Sequence, residues 1–154
     1  MKKTLIALLL SLGSLSAQAA LDPAQVRQLA AEDSTDKVAA IRQLTQTADP
    51  DAVRVLKAMA EDSLFLAGDK VVIIDGDKVF DAATGAATKI PASPESVTVN
   101  NRIRGELASA LAALKLFDSD VAVRLASAQK LQSQVTPEMA PLLARALEKE
   151  SDGQ

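Results

Sequence analysis

SLFLAGDKVVIIDGDKVFDAATGAATKIPASPESVTVNN, residues 63–101, is the stretch whose reading decides the fold. Val71-Val72-Ile73-Ile74 is a β-branched run, and such side chains suit a pleated, half-buried surface. Asp75-Gly76 follows it, a two-residue hairpin signal because both residue types tolerate positive φ. Lys78-Val79-Phe80 is placed to return as the next strand. Leu64-Phe65-Leu66 precedes it across Ala67-Gly68-Asp69-Lys70, a segment with turn chemistry. A two- or three-stranded meander results, too small to be stable alone. It must therefore pack on its surroundings. Ala82 to Val99, with Pro91 and Pro94, reads as a surface loop with a short strand near Ser96–Val99.

The sequence on either side is helical. Asp22-Pro23 opens a first helix expected to reach Ala31, with Asp22 as N-cap and Pro23 at the first helical position. Gln25 is placed to complete a capping box. Asp33 to Asp36 offer a new cap for a helix carrying Val38, Ile41 and Leu44. Asp49-Pro50-Asp51 starts another, with Val53, Leu56 and Ala60 as its apolar stripe and Asp51 near the positive helix end. After the insert, Asn100-Asn101 caps a helix with Ile103, Leu107, Leu111 and Leu114 on one face, the clearest amphipathic pattern in the chain. Asp118-Ser119-Asp120 caps the next, with Val121, Leu125 and Ala128 as its stripe. Thr136-Pro137-Glu138 caps a last one with Met139, Leu142, Leu143, Ala146 and Leu147. Pro141 is harmless there only if it falls in the first turn.

The two helical blocks superpose without a gap. Leu44 falls on Leu131, Pro50 on Pro137, Asp51 on Glu138, Leu56 on Leu143 and Ala60 on Leu147, each 87 positions apart. Val123-Arg124-Leu125-Ala126 and Asp49-Pro50-Asp51-Ala52-Val53-Arg54 resemble HEAT-like repeats, whose helix pairs bury their apolar faces by stacking. Two amphipathic helix pairs also share such patterns by chance. The fold class expected is mainly α, HEAT-like helical hairpins with a small β-hairpin or meander insert. The expected organisation is a signal peptide at 1–19, helical hairpins at 20–62, the insert and loop at 63–100, helices at 101–150 and a tail at 151–154. Residues 20–150 are expected to form one domain.

Lys2-Lys3, the apolar run Leu5–Leu12 and Ala17-Gln18-Ala19 have the pattern of a cleaved secretory signal, predicting a mature start at Ala20 and export to the periplasm. Without Lys2 and Lys3, 15 of the 17 basic residues remain against 20 acidic ones, a net charge of −5. Nucleic acid, which needs a basic face, is not an expected partner. No later apolar run is long enough for a membrane span.

The chain has no His, Cys, Trp or Tyr. That removes the Ser-His-Asp triad, the thiolate nucleophile, the imidazole acid/base, the disulfide and the His- or Cys-ligated metal. Asp69, Asp75, Asp77 and Asp81 cluster at the hairpin, but their spacing lacks the EF-hand pattern and its terminal Glu. They read as turn aspartates. Asn100-Asn101-Arg102-Ile103-Arg104 has the composition of an anion-holding helix start, and caps and surface charges account for it equally. Arg54, Lys57, Arg124 and Lys130 read as solvated helix faces, and Gly76 and Gly85 as isolated turn residues. No catalytic, cofactor-binding or metal-binding residue is assigned, no cofactor is expected, and the chain does not read as an enzyme.

Leu64-Phe65, the Val-Val-Ile-Ile strand, Asp75-Gly76, Asp81-Ala82-Ala83-Thr84-Gly85 and Val99-Asn100-Asn101-Arg102-Ile103-Arg104 carry a resemblance. With the Ala/Leu helix and Val123-Arg124-Leu125-Ala126, they are similar in order to the extracytoplasmic N-terminal region of urea-type ABC transporter permeases, in the branched-chain amino acid permease family. The resemblance extends over most of residues 20–150, and its specific parts are the DAATG and NNR-I-R segments. It implies an accessory domain acting by protein contact, with the membrane permease or the solute-binding protein of a urea importer as partner. As part of a longer permease it would be associated with the inner membrane. Those permeases hold their translocation path in membrane spans that this sequence lacks, so none of their transport residues is carried over. The alternative is an independent periplasmic helical-repeat scaffold or binding protein.

Overall fold

A computed structural model describes residues 20–133 and 135–151. The expected signal segment, 1–19, lies outside them, as do 152–154 of the tail. Six α-helices and one small antiparallel sheet make up the described chain.

Each of the first helices starts where a short acidic side chain takes up orphan amides. Asp22 accepts from Ala24 N at 2.9 Å to open α1, Pro23–Gln28. Asp33 accepts from Thr35 N to open α2, Ser34–Thr47, and Asp49 accepts from Asp51 N to open α3, Pro50–Ala60. Helix α1 is three residues shorter than its pattern predicts. Ala30 N and Ala31 N bond to carbonyls only three residues back, tightening the chain so that Leu29 turns fully inward.

The insert is larger than a three-stranded meander. Strands β1 (Leu64–Ala67), β2 (Lys70–Asp75), β3 (Lys78–Asp81) and β4 (Glu95–Ser96) form one sheet in the order β3-β2-β1-β4. Ala67 faces Lys70 and Asp75 faces Lys78, so both hairpins close over Gly-Asp pairs. Gly68 and Gly76 take φ of +60° and +56° at the first central position, where a two-residue turn favours glycine. The second turn thus centres on Gly76-Asp77, one residue later than Asp75-Gly76, because Asp75 already belongs to the ladder. The fourth strand lies at Glu95–Ser96 rather than Ser96–Val99. The segment expected as surface loop is anchored, since Ala82, Ala83 and Val97 are buried.

Val71 and Ile73 share a face and join the helical core, while Val72, pointing the other way, is also buried. Helix α4, Asn101–Leu114, packs against both α2 and α3. Ile103, Leu107 and Leu114 are buried in one cluster with Leu44, Leu56, Leu64 and Ile73, so insert and helices share one core.

A second, smaller cluster of Ala112, Ala113, Leu131 and Leu142 ties on α5, Val121–Leu131, and α6, Ala140–Lys149. Asp120 caps α5 by accepting from Ala122 N at 2.8 Å. The expected stripe of α5 is not its buried face: Val121 and Leu125 are 44% and 45% exposed and Ala128 is exposed, while Ser127 and Leu131 turn inward. Thr136 makes no cap bond to a helix. Pro137–Met139 forms a single 3-10 turn and α6 begins at Ala140. Pro141 then lies in the first helical turn, where its missing N–H leaves no bond unmade.

Candidate functional site

The acidic cluster at the insert divides into separate structural tasks. The Asp81 carboxylate accepts from Ala83 N, Thr84 N and the Thr84 hydroxyl, at 3.1, 2.9 and 3.0 Å. That closes the DAATG turn, which Gly85 completes at φ +71°. Leu21 N donates to Ala83 O at 3.0 Å, so the turn also holds the segment before α1. Asp69, in the β1–β2 turn, pairs with Arg27 of α1 at 2.6 Å. Asp75 and Asp77 stay exposed at the neighbouring turn. Among the described residues no three acidic side chains converge as metal ligands.

Arg54 is not the solvated residue its helical position predicts. It is half-buried, pairs with Asp51 and donates to Ala82 O at 3.0 Å. Its guanidinium lies where a Cβ on residue 85 would stand, 2.7 Å from Nη1. Glycine at 85 therefore serves both the positive φ and the approach of α3. Arg124 departs from its expected place too: it pairs with Glu150 through two nitrogens, at 2.7 Å each, and also donates to Asp118 O and Ser119 O. Lys57 and Lys130 are exposed as expected.

The Asn100–Arg104 segment is engaged within the fold. Asn100 Oδ1 accepts from Ile103 N at 3.0 Å, and its amide donates to the Ser34 hydroxyl at 2.9 Å. Arg104 pairs with Asp62, which itself sits at φ +56°. Bonds from Thr35 hold the Asp33 carboxyl below its ordinary range, with a minor contribution from the charge of Arg102.

Periodicity alone did not single out the polar seam between α2 and α4. Arg42 meets Glu106 through two bonds, at 2.8 and 3.2 Å, and this partner holds its proton more tightly than usual. Ser109, Thr136 and Glu138 stand around the same small recess, where the bond with Thr136 lowers the Glu138 pKa. Further along α2, Lys37 is 5% exposed and donates to Thr98 O at 2.8 Å, and burial pulls its pKa down. Their charges gave no sign in the sequence of being taken up inside the fold.

One surface feature stands apart from these polar contacts and is apolar. Leu116, Val121, Leu125, Ala128, Leu143 and Leu147 line an open groove along α5 and α6. Leu147 is 77% exposed. Single exposed apolar residues need no explanation, whereas these lie side by side on two neighbouring helices. Among the described residues no helix is long and apolar enough to cross a membrane. No family model matches the chain, and no curated protein or solved structure matches it.

Proposed function

We propose that this chain is an extracytoplasmic contact domain rather than an enzyme, serving a urea-type ABC importer. The reading includes export through the segment 1–19 and a HEAT-like origin for the paired helices. The observation that carries it is the open apolar groove on α5 and α6, lined by Val121, Leu125 and Leu147. Such a surface suits recognition of another protein. The charged groups that drew notice in the sequence add little that could do chemistry: Arg54, Arg104, Arg124 and Asp81 are spent on turns, carbonyls and ion pairs. The importer as partner rests on the resemblance in the DAATG and NNR-I-R segments.

The test mixes the purified chain with the detergent-solubilised permease, and separately with the solute-binding protein, of a urea importer from the same cell. A complex with either, at micromolar concentration, is the expected outcome. Absence of binding to both overturns the importer reading. Mass spectrometry of the periplasmic protein checks export, with Ala20 as the expected N-terminus.

A further inference from the structure

The correspondence at 87 residues extends to where the elements begin. Asp33 and Asp120 each cap their helix by accepting from the amide two residues on. Pro50 opens α3, and Pro137 opens the 3-10 turn that leads into α6. The two pairs differ in what covers them. Val38, Ile41 and Leu56 are 6%, 0% and 0% exposed. Their counterparts are Leu125, 45% exposed, Ala128, exposed, and Leu143, half-buried. Ala60 is half-buried where Leu147 stands in water.

The first pair is covered by α4. It lies along α2, where Glu106 meets Arg42 and Asn100 meets Ser34, and it packs on α3 as well. Helix α4 also meets the second pair, around Leu131 and Leu142, but those residues do not line the α5–α6 groove. We propose that the α5–α6 groove is the docking site for one amphipathic helix of a partner protein, seated there as α4 is seated on α2 and α3. This deepens the contact-domain reading above and rests on it. The occupant presents apolar side chains at i, i+4 and i+8, as Ile103, Leu107 and Leu111 do on α4. Helix-in-groove recognition works through such anchors. A second copy is a poorer occupant, because a stable dimer takes about 20–30 residues a side and nine residues line this groove.

The probe is a synthetic, fluorescein-labelled peptide with the sequence of residues 98–117, titrated with the full chain and followed by anisotropy. Saturable binding in the micromolar range is expected. Leu125→Glu and Leu147→Glu should each weaken it by about tenfold or more, while Ile90→Glu, 65% exposed at a distant loop, should not. Leu125 and Leu147 are exposed, so neither charge enters a core, and unchanged melting of the variants verifies that. No binding, or equal binding to all variants, overturns the proposal. So does a dimer of the free chain in sedimentation that Leu147→Glu dissociates, since the groove would then hold a second copy. A chain that takes the peptide through Leu125 and Leu147 but binds neither permease nor solute-binding protein keeps the groove and overturns only the importer.

Discussion

Gly85 and Lys37 carry constraints out of proportion to their size. Gly85 stands at φ +71° with the Arg54 guanidinium against it. Alanine there meets both the left-handed penalty, about 1–2 kcal/mol, and a clash with a side chain held by Asp51 and Ala82 O. Gly85→Ala should therefore lower the unfolding free energy by at least that amount, seen as a lower urea midpoint at an unchanged slope. Arg54→Ala in the same chain should remove part of the added cost, which a double-mutant cycle reads. Additive effects would mean that the two residues do not press on each other. Lys37 gives a pH signature. Burial lowers its pKa from 10.5, so between the lowered value and 10.5 the unfolded chain binds more protons than the folded one. Stability must then rise with pH through that window, as the cost of burying the charge is relieved. Lys37→Met, which has no proton to lose, should lack this rise. Urea unfolding of both chains from pH 7 to pH 11 makes the comparison, and parallel curves would refute the assignment.

At the scale of elements, the caps were legible because the chemistry that starts a helix is local. Asp22, Asp33, Asp49, Asn100 and Asp120 all accept from the amides expected of N-caps. The strands of the insert were legible for the same reason, since β-branched runs between glycine turns are local signals. What faced what was not. The Val121, Leu125 and Ala128 stripe is apolar like that of α4, and tertiary packing decides that one stripe is covered and the other open. Strand β4 was expected at Ser96–Val99, where the valines are, and forms at Glu95–Ser96 because pairing there follows the edge that β1 offers and not the propensity of the two residues. Arg54 and Arg124 were misplaced because their carbonyl and carboxylate partners are set by the fold. The strongest element-level expectation concerns α4. Leu107 is 1% exposed and shares a cluster with Leu64, Val71 and Ile73. Leu107→Ala should cost about 2–5 kcal/mol through lost burial and the cavity left behind. Hydrogen exchange should show the β1–β2 amides losing protection together with α2 and α4. Hairpin amides that keep wild-type protection would show that the insert is stabilised independently.

Across the whole molecule, the packing falls into two unequal parts. The larger core runs from Leu21 to Leu114 and draws on α1 to α4 and the sheet, whereas α5 and α6 are held by a few residues around Leu131 and Leu142. A further tie crosses between the parts, where Arg145 donates to the carbonyls of Gln46 and Thr47 at the end of α2, while the Arg145 and Lys149 cations lie over the Phe117 ring within the smaller part. These are exposed contacts, each worth little against water. Opening free energies follow buried apolar contact, so the last two helices should open before the rest. Native-state hydrogen exchange should give α5 and α6 amides a lower opening free energy than those of α2, α4 and β2. Leu131→Ala, at a residue 1% exposed, should abolish most of the α5–α6 protection while leaving the larger core close to wild type. Leu107→Ala should lower both, because α5 rests on Ala112 and Ala113 of the same helix. If Leu131→Ala instead lowers protection evenly from α1 to α6, the molecule opens as one cooperative unit. A separately opening pair has a functional consequence under the docking proposal. A helix that seats on α5 and α6 would add apolar contact to those helices, raising their opening free energy by RT ln(1 + L/Kd), where L is its free concentration. Exchange measured with and without the 98–117 peptide should then slow in α5 and α6 and stay unchanged in the sheet.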